Sequence, residues 1–133
     1  MDEIAVRVEA EVNFTEDEGK VETAVANIFD GVSVQVNPSF KGRVLVAETQ
    51  GQEALAEFRR LLSLDRIRDA ARKVLFGGAK SGTIRFCLNK QVAFAGHVSF
   101  CEEVAESPLG PLRVTIKCED PRGLIDWLTG RSA

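Results

Sequence analysis

The sequence predicts an α+β fold: a single domain over residues 1–133, with a largely antiparallel sheet and helices packed on one face. The expected order is β-α-β-β-α(broken)-β-β-β-α. Three observations lead there. Several stretches alternate apolar and polar residues with period two, as half-buried strands do. Others carry apolar residues three and four apart, as amphipathic helices do. Strands also come in runs instead of alternating one-for-one with helices, and no repeat or long linker divides the 133 residues into two cores.

Ile4 to Asn13 alternates strictly, with Ile4, Val6, Val8, Ala10 and Val12 on one side and Arg7, Glu9 and Glu11 on the other. Thr15-Glu16-Asp17-Glu18 fits a capping box that opens a helix. Its stripe is Val21, Ala24, Val25, Ile28 and Phe29, and Gly31 suits its C-cap. Val32 to Val36 and Arg43 to Thr49 read as strands around the turn-rich Asn37-Pro38-Ser39-Phe40-Lys41-Gly42. Leu55, Phe58 and Leu62 start a second helix. Continuing that phase would bury Asp65, Arg66 and Asp69, so the stripe restarts at Leu64, Ile67, Ala71 and Val74. A break is therefore expected near Ser63, and Gly77-Gly78 ends the second piece.

Thr83 to Asn89, Val92 to Phe100 and Leu112 to Cys118 complete the strands. Their alternation is expected to bury one face, carrying Ile84, Phe86, Leu88, Val92, Phe94, Val98, Phe100, Val114 and Ile116. With Asn89-Lys90-Gln91 as a hairpin loop, Leu88 faces Val92 and Phe86 faces Phe94. Asp120 followed by Pro121 opens a last helix whose stripe is Leu124, Ile125 and Leu128.

Composition narrows the function. The chain carries 20 acidic and 17 basic side chains, a net charge of -3 and a pI near 5.3, unlike a uniformly basic nucleic-acid wrapper. Nor does any apolar run approach the roughly 18 residues of a membrane span. Met1-Asp2-Glu3 has no basic stretch leading an apolar one, as a secretion signal would. Cys87, Cys101 and Cys118 are odd in number and include no CxxC pair. The expectation is a reduced, cytoplasmic protein.

Charge is nevertheless segregated. Residues 1–30 hold nine acidic and two basic side chains, whereas residues 31–90 hold eleven basic and five acidic. Such segregation reads either as solvated faces whose opposite charges meet within the domain or across a dimer, or as an anion-binding surface in the middle third.

Signatures of catalysis are mostly missing. Gly77-Gly78-Ala79-Lys80-Ser81-Gly82 has the composition of a phosphate loop but joins a helix to a strand, the reverse of the arrangement phosphate loops need. His97, the single histidine, lies two residues from Ser99, about 7 Å along a strand, with no carboxylate in sequence to orient it. Glu102, Glu103 and Glu106 precede Ser107-Pro108-Leu109-Gly110-Pro111, a connection where glutamates serve solubility. The sequence therefore reads as a non-enzyme with no cofactor and no metal site.

Nucleic acid has the best local case. Lys41, Arg43, Arg59, Arg60, Arg66, Arg68, Arg72 and Lys73 form the candidate RNA or anion site, because guanidinium forks suit phosphate. Arg85, Arg113 and Lys117 fall on the wetter sheet face. Base stacking needs exposed aromatics, and only Phe40, beside Lys41, reads as available. Contacts by shape and phosphate would then dominate, with RNA and not DNA as ligand.

Four blocks in order resemble a known family. They are Val8-Glu9-Ala10-Glu11-Val12-Asn13 with Thr15-Glu16-Asp17, the run Leu88 to Phe100, Glu106-Ser107-Pro108-Leu109-Gly110-Pro111, and Asp120-Pro121 through Ile125-Asp126-Trp127-Leu128. The family is archaeal, of small proteins labelled RNA-binding or as a predicted exosome-associated subunit. Phe14 stands where proline is expected in many members. The resemblance implies a fold like that of the large-subunit ribosomal protein that binds 5S RNA, a homodimer, and genes near RNA-processing functions or a dephospho-CoA-kinase-like protein. It carries no catalytic residues to this chain. Three functions stay open: a non-catalytic module that associates weakly with RNA or an RNA-processing complex, a homodimeric interaction or scaffold module that binds no nucleic acid, and, most remote of the three, an enzyme.

Overall fold

A computed structural model describes residues 3–39, 42–102 and 110–130. Strand β1 (Ala5–Asn13) has the strict alternation of its sequence, with Val6, Val8, Ala10 and Val12 buried. Helix α1 (Glu18–Ile28) follows, then β2 (Ser33–Ser39), β3 (Gly42–Gln50), a single 3-10 turn (Gln52–Leu55), and helices α2 (Ala56–Leu64) and α3 (Arg68–Gly77). Next come β4 (Ala79–Lys80), β5 (Thr83–Leu88), α4 (Lys90–Phe94), β6 (Phe100–Cys101), β7 (Leu112–Lys117) and α5 (Pro121–Leu128). All pairings are antiparallel, in the order β2-β3-β1-β7-β5-β4, with β6 also paired to β5.

The sheet is therefore a single α+β layer with one covered face. Ile84, Phe86 and Leu88 of β5 and Leu112, Val114 and Ile116 of β7 join the β1 valines beneath the helices. Phe58 of α2 stacks on Phe86 with ring centres 5.5 Å apart, and Phe29 and Phe100 flank it at 5.6 and 6.5 Å. The opposite face carries Arg7, Glu9, Arg85, Cys87, Arg113 and Thr115, open to solvent or half-buried.

Local signals account for several ends. Asp120 caps α5, its carboxylate accepting from the Gly123 N–H at 3.0 Å, and Pro121 occupies the first turn where its missing N–H costs nothing. Ser81 and Gly82 both have positive φ, 50° and 78°, which makes the glycine-rich segment the turn of the β4–β5 hairpin.

Other expectations need correction. Helix α1 is capped by Asp17, which accepts from Gly19 N at 2.8 Å, and not by Thr15. It ends at Phe29, two residues before Gly31. Strand β2 runs on through Pro38, tolerated because β2 is an edge strand. On α3 the buried positions are Ala71 and Leu75, while Val74 of α3 and Leu64 at the end of α2 are exposed.

The largest change concerns residues 90–99. No hairpin pairs Phe86 with Phe94. Asn89 instead caps α4, accepting from Val92 N at 3.0 Å, and β5 pairs with β6 so that Leu88 faces Phe100. Phe94 is 45% exposed, with the Lys20 ammonium 5.9 Å from its ring centre. The cause is electrostatic. Lys90, 6% exposed, donates to the Glu11 carbonyl at 2.7 Å and to both Glu16 carboxylate oxygens at 3.1 Å, and a short helix is what turns it inward.

Candidate nucleic-acid interface

The basic segment is organised by the break between α2 and α3. Asp65 is the last residue with helical backbone, Arg66 adopts φ 58°, and the Arg66 and Ile67 N–H groups donate back to Ser63 O at 3.2 Å and Leu62 O at 3.1 Å. Those two bonds make a Schellman ending, which favours glycine at the position Arg66 holds. Ile67 then packs against the core, as the apolar contact of that ending requires. The expected phase slip is thus a tight reversal two residues beyond Ser63. It leaves Arg66 pointing its charge at solvent.

Around the break, Arg59, Arg60 and Arg68 line a hollow of about 330 Å³ together with Ser63, Leu64 and Gly130. Arg59 donates through Nε to the Trp127 carbonyl at 2.9 Å, its guanidinium 5.1 Å from the Trp127 ring centre. Both contacts are neutral, so they fix the side chain and leave its charge available. Arg60 makes a two-pronged bond to Glu57 at 2.7 and 2.6 Å. That hydrogen bond holds the Glu57 carboxyl below its ordinary range and raises the Arg60 guanidinium above its own. Arg72 is tied down by Asp126 at 2.6 Å and lies over the Phe76 ring. Arg43 sits apart, paired with Glu18 of α1 at 2.6 Å.

The eight expected residues therefore divide. Arg43, Arg60 and Arg72 are occupied by carboxylates, Lys41 lies outside the described residues, and Arg59, Arg66, Arg68 and Lys73 have no carboxylate partner among the described residues. These last four span α2, the break and α3. On the open sheet face the charges are mixed: Arg113 is in register with Glu9, and Arg7 bonds Glu9 at 3.0 Å. The helical break therefore carries cations without a carboxylate partner among the described residues, whereas the open sheet face mixes both signs.

Aromatic exposure also differs from expectation. Phe40 lies outside the described residues, while Phe14 is 81% exposed and Phe76 and Phe94 are partly so. His97 gains the carboxylate that sequence could not assign: its Nδ1 lies 3.0 Å from Asp65 Oδ1, and Asp65 Oδ2 accepts from Val98 N at 3.1 Å. The contact pins residues 97–98 to the end of α2, which is a structural task. No helix among the described residues is long and apolar enough to cross a membrane, and none of their His, Cys, Asp and Glu side chains form a group of three that could hold a metal ion.

With the geometry in place, comparison with known proteins becomes informative. A family model described as RNA binding matches residues 5–118. The chain belongs to that family. Its relatives include the UPF0201 protein of Sulfurisphaera tokodaii, 45% identical over 126 residues that cover 95% of this chain and 87% of the relative. The UPF0201 protein of Pyrobaculum islandicum is 45% identical over 130 residues, covering 96% and 91%. Among solved structures, the UPF0201 protein from Methanococcus jannaschii superposes with a TM-score of 0.84 at 28% identity, over 97% of this chain and 95% of that one. The archaeal family relationship expected from the four sequence blocks is thereby established.

Proposed function

We propose that this chain is a non-catalytic, cytoplasmic module that associates weakly with RNA through its phosphates, at the break between α2 and α3. The observation that carries this reading is the group Arg59, Arg66, Arg68 and Lys73, cationic and clear of carboxylates among the described residues, of which Arg59 and Arg68 line a hollow large enough for a phosphate. The family's RNA-binding description is consistent with it. Shape and charge would set affinity, since the stacked phenylalanines 58, 86 and 100 are committed to the core. The acidic remainder of the chain limits the strength of binding.

The test is titration of wild type and an Arg68→Glu, Lys73→Glu double variant with unrelated structured RNAs at several salt concentrations. Arg72 is left intact because its bond to Asp126 serves packing. The expected result is weaker binding for every RNA and a salt slope smaller by roughly 0.7–0.9 for each lost phosphate contact. Equal affinities and equal slopes would remove this surface as the site.

One observation favours a second reading, a homodimer. On the open sheet face Glu48 of β3 and Glu9 and Glu11 of β1 outnumber the one cation among them, Arg7, whereas Arg113, Lys117 and Arg85 lie on β7 and β5. A second copy turned by half a revolution about an axis along the strands between β1 and β7 would set Glu9 against the partner's Arg113 and Glu48 against its Arg85. Light scattering that gives one chain mass at working concentrations, unchanged by salt, would reject it.

A further inference from the structure

We infer that Cys87 and Cys101 form an oxidisable dithiol, a redox modification site that closes as a cross-strand disulfide between β5 and β6. The two residues are directly opposed in the antiparallel register, so both side chains leave the same face of the sheet. Asn89 N donates to Ser99 O at 2.8 Å, which marks residues 89 and 99 as a hydrogen-bonded pair. Alternation along the ladder makes 87 and 101 the next such pair, with Cα atoms about 5.5 Å apart. Disulfides most often span about 5.5–6 Å between Cα atoms, so the backbone spacing already suits the bond.

The Cβ atoms must still approach by about 1.7 Å, from the roughly 5.5 Å of a hydrogen-bonded pair to the roughly 3.8 Å of a disulfide. Strand β6 is two residues long and lies off the main path of the sheet, so it can give where a central strand could not. Both cysteines are half-buried, and they line an open hollow of about 670 Å³ bordered by Arg85, Arg113 and Glu102. A small reagent therefore has a path to them. Cys118, by contrast, is buried on the other side of the sheet's register.

The oxidant is a low-molecular-weight disulfide such as oxidised glutathione. One cysteine thiolate attacks a sulfur of that reagent, forming a mixed disulfide and expelling the first small thiolate. The second cysteine thiolate then attacks the protein sulfur of the mixed disulfide, closing the 87–101 bond and expelling the second. The two protons lost by the protein thiols pass to the expelled thiolates. The chain loses two electrons and two hydrogens, and the small disulfide is reduced to two thiols.

The experiment incubates the reduced full-length chain with oxidised glutathione, unfolds it, blocks remaining thiols with N-ethylmaleimide, and reads the intact mass and a non-reducing peptide map. The expected product carries one maleimide, on Cys118, and a linked pair of peptides holding Cys87 and Cys101. Three maleimides on every chain, a link that includes Cys118, or a mixed disulfide that never closes would each overturn the inference. In a Cys101→Ser variant, Cys87 should stop at the glutathione adduct. If the variant instead forms an internal disulfide, the pairing is wrong. None of these readouts depends on RNA.

Discussion

Two charged regions of this protein make opposite use of lysine and arginine. At one end of the sheet, Lys90 is sealed between α4 and β1 against Glu16, with only 6% and 9% of the two side chains exposed. Glu16 Oε1 also accepts from the Asn13 backbone and side-chain N–H groups, at 3.0 and 2.9 Å. At the α2–α3 break, Arg66, Arg68 and Lys73 are exposed and the Arg60–Glu57 pair stands in solvent. The buried pair specifies how residues 89–94 fold but contributes nothing to recognition. The exposed group contributes little to folding and keeps its charge in solvent. Burial, not residue type, separates a cation committed to the fold from one left facing solvent.

The largest effect should come from breaking the buried pair. Glu16→Ala removes the counter-charge that Glu16 gives the Lys90 ammonium and should cost about 3–5 kcal/mol in urea unfolding. A Lys90→Met, Glu16→Leu double variant should recover much of that loss, because no charge is then buried. A cost below about 1 kcal/mol for Glu16→Ala would mean that the lysine escapes to water, erasing the contrast between the regions.

Arg66→Gly sharpens the comparison because its two consequences have opposite signs. Glycine relieves the left-handed conformation at φ 58°, so stability should rise by about 1 kcal/mol. RNA affinity should fall, since one exposed cation is lost. Thermal unfolding and RNA titration on the same preparation measure both. A variant that is both less stable and unchanged in binding would show that Arg66 belongs to the structural class.

The smallest effect belongs to Glu57. Its carboxyl is held below the ordinary 4.5 by the Arg60 hydrogen bond, so the unfolded chain binds a proton there before the folded chain does. The pair's contribution is therefore present above that ordinary value and is lost as pH falls through the lowered one. Glu57→Gln should be slightly less stable than wild type at neutral pH, and the difference should vanish in acid and shrink in high salt. Urea midpoints at neutral and acidic pH check this. A difference that grows in acid would reverse the sign and refute the assignment.

The sequence by itself determined the elements whose signals are local. The alternation of Ile4 to Asn13, the stripe Val21 to Ile28 and the pair Asp120-Pro121 need only their own neighbours, and each became the expected strand, helix or cap. It also located the basic segment and the break within it, because a continuous stripe would have buried Asp65 and Arg66. Tertiary structure decided what depends on partners far along the chain. Val92 to Phe100 alternates well enough for a strand, yet Lys90 finds Glu16, 74 residues away, and the stretch turns into a helix and a loop. Arg72 meets Asp126 54 residues on, and His97 meets Asp65 across 32. Charge is written residue by residue, but whether a charge is neutralised, buried or free to meet a ligand depends on which surfaces the packed helices bring together. Only the folded chain sets that geometry.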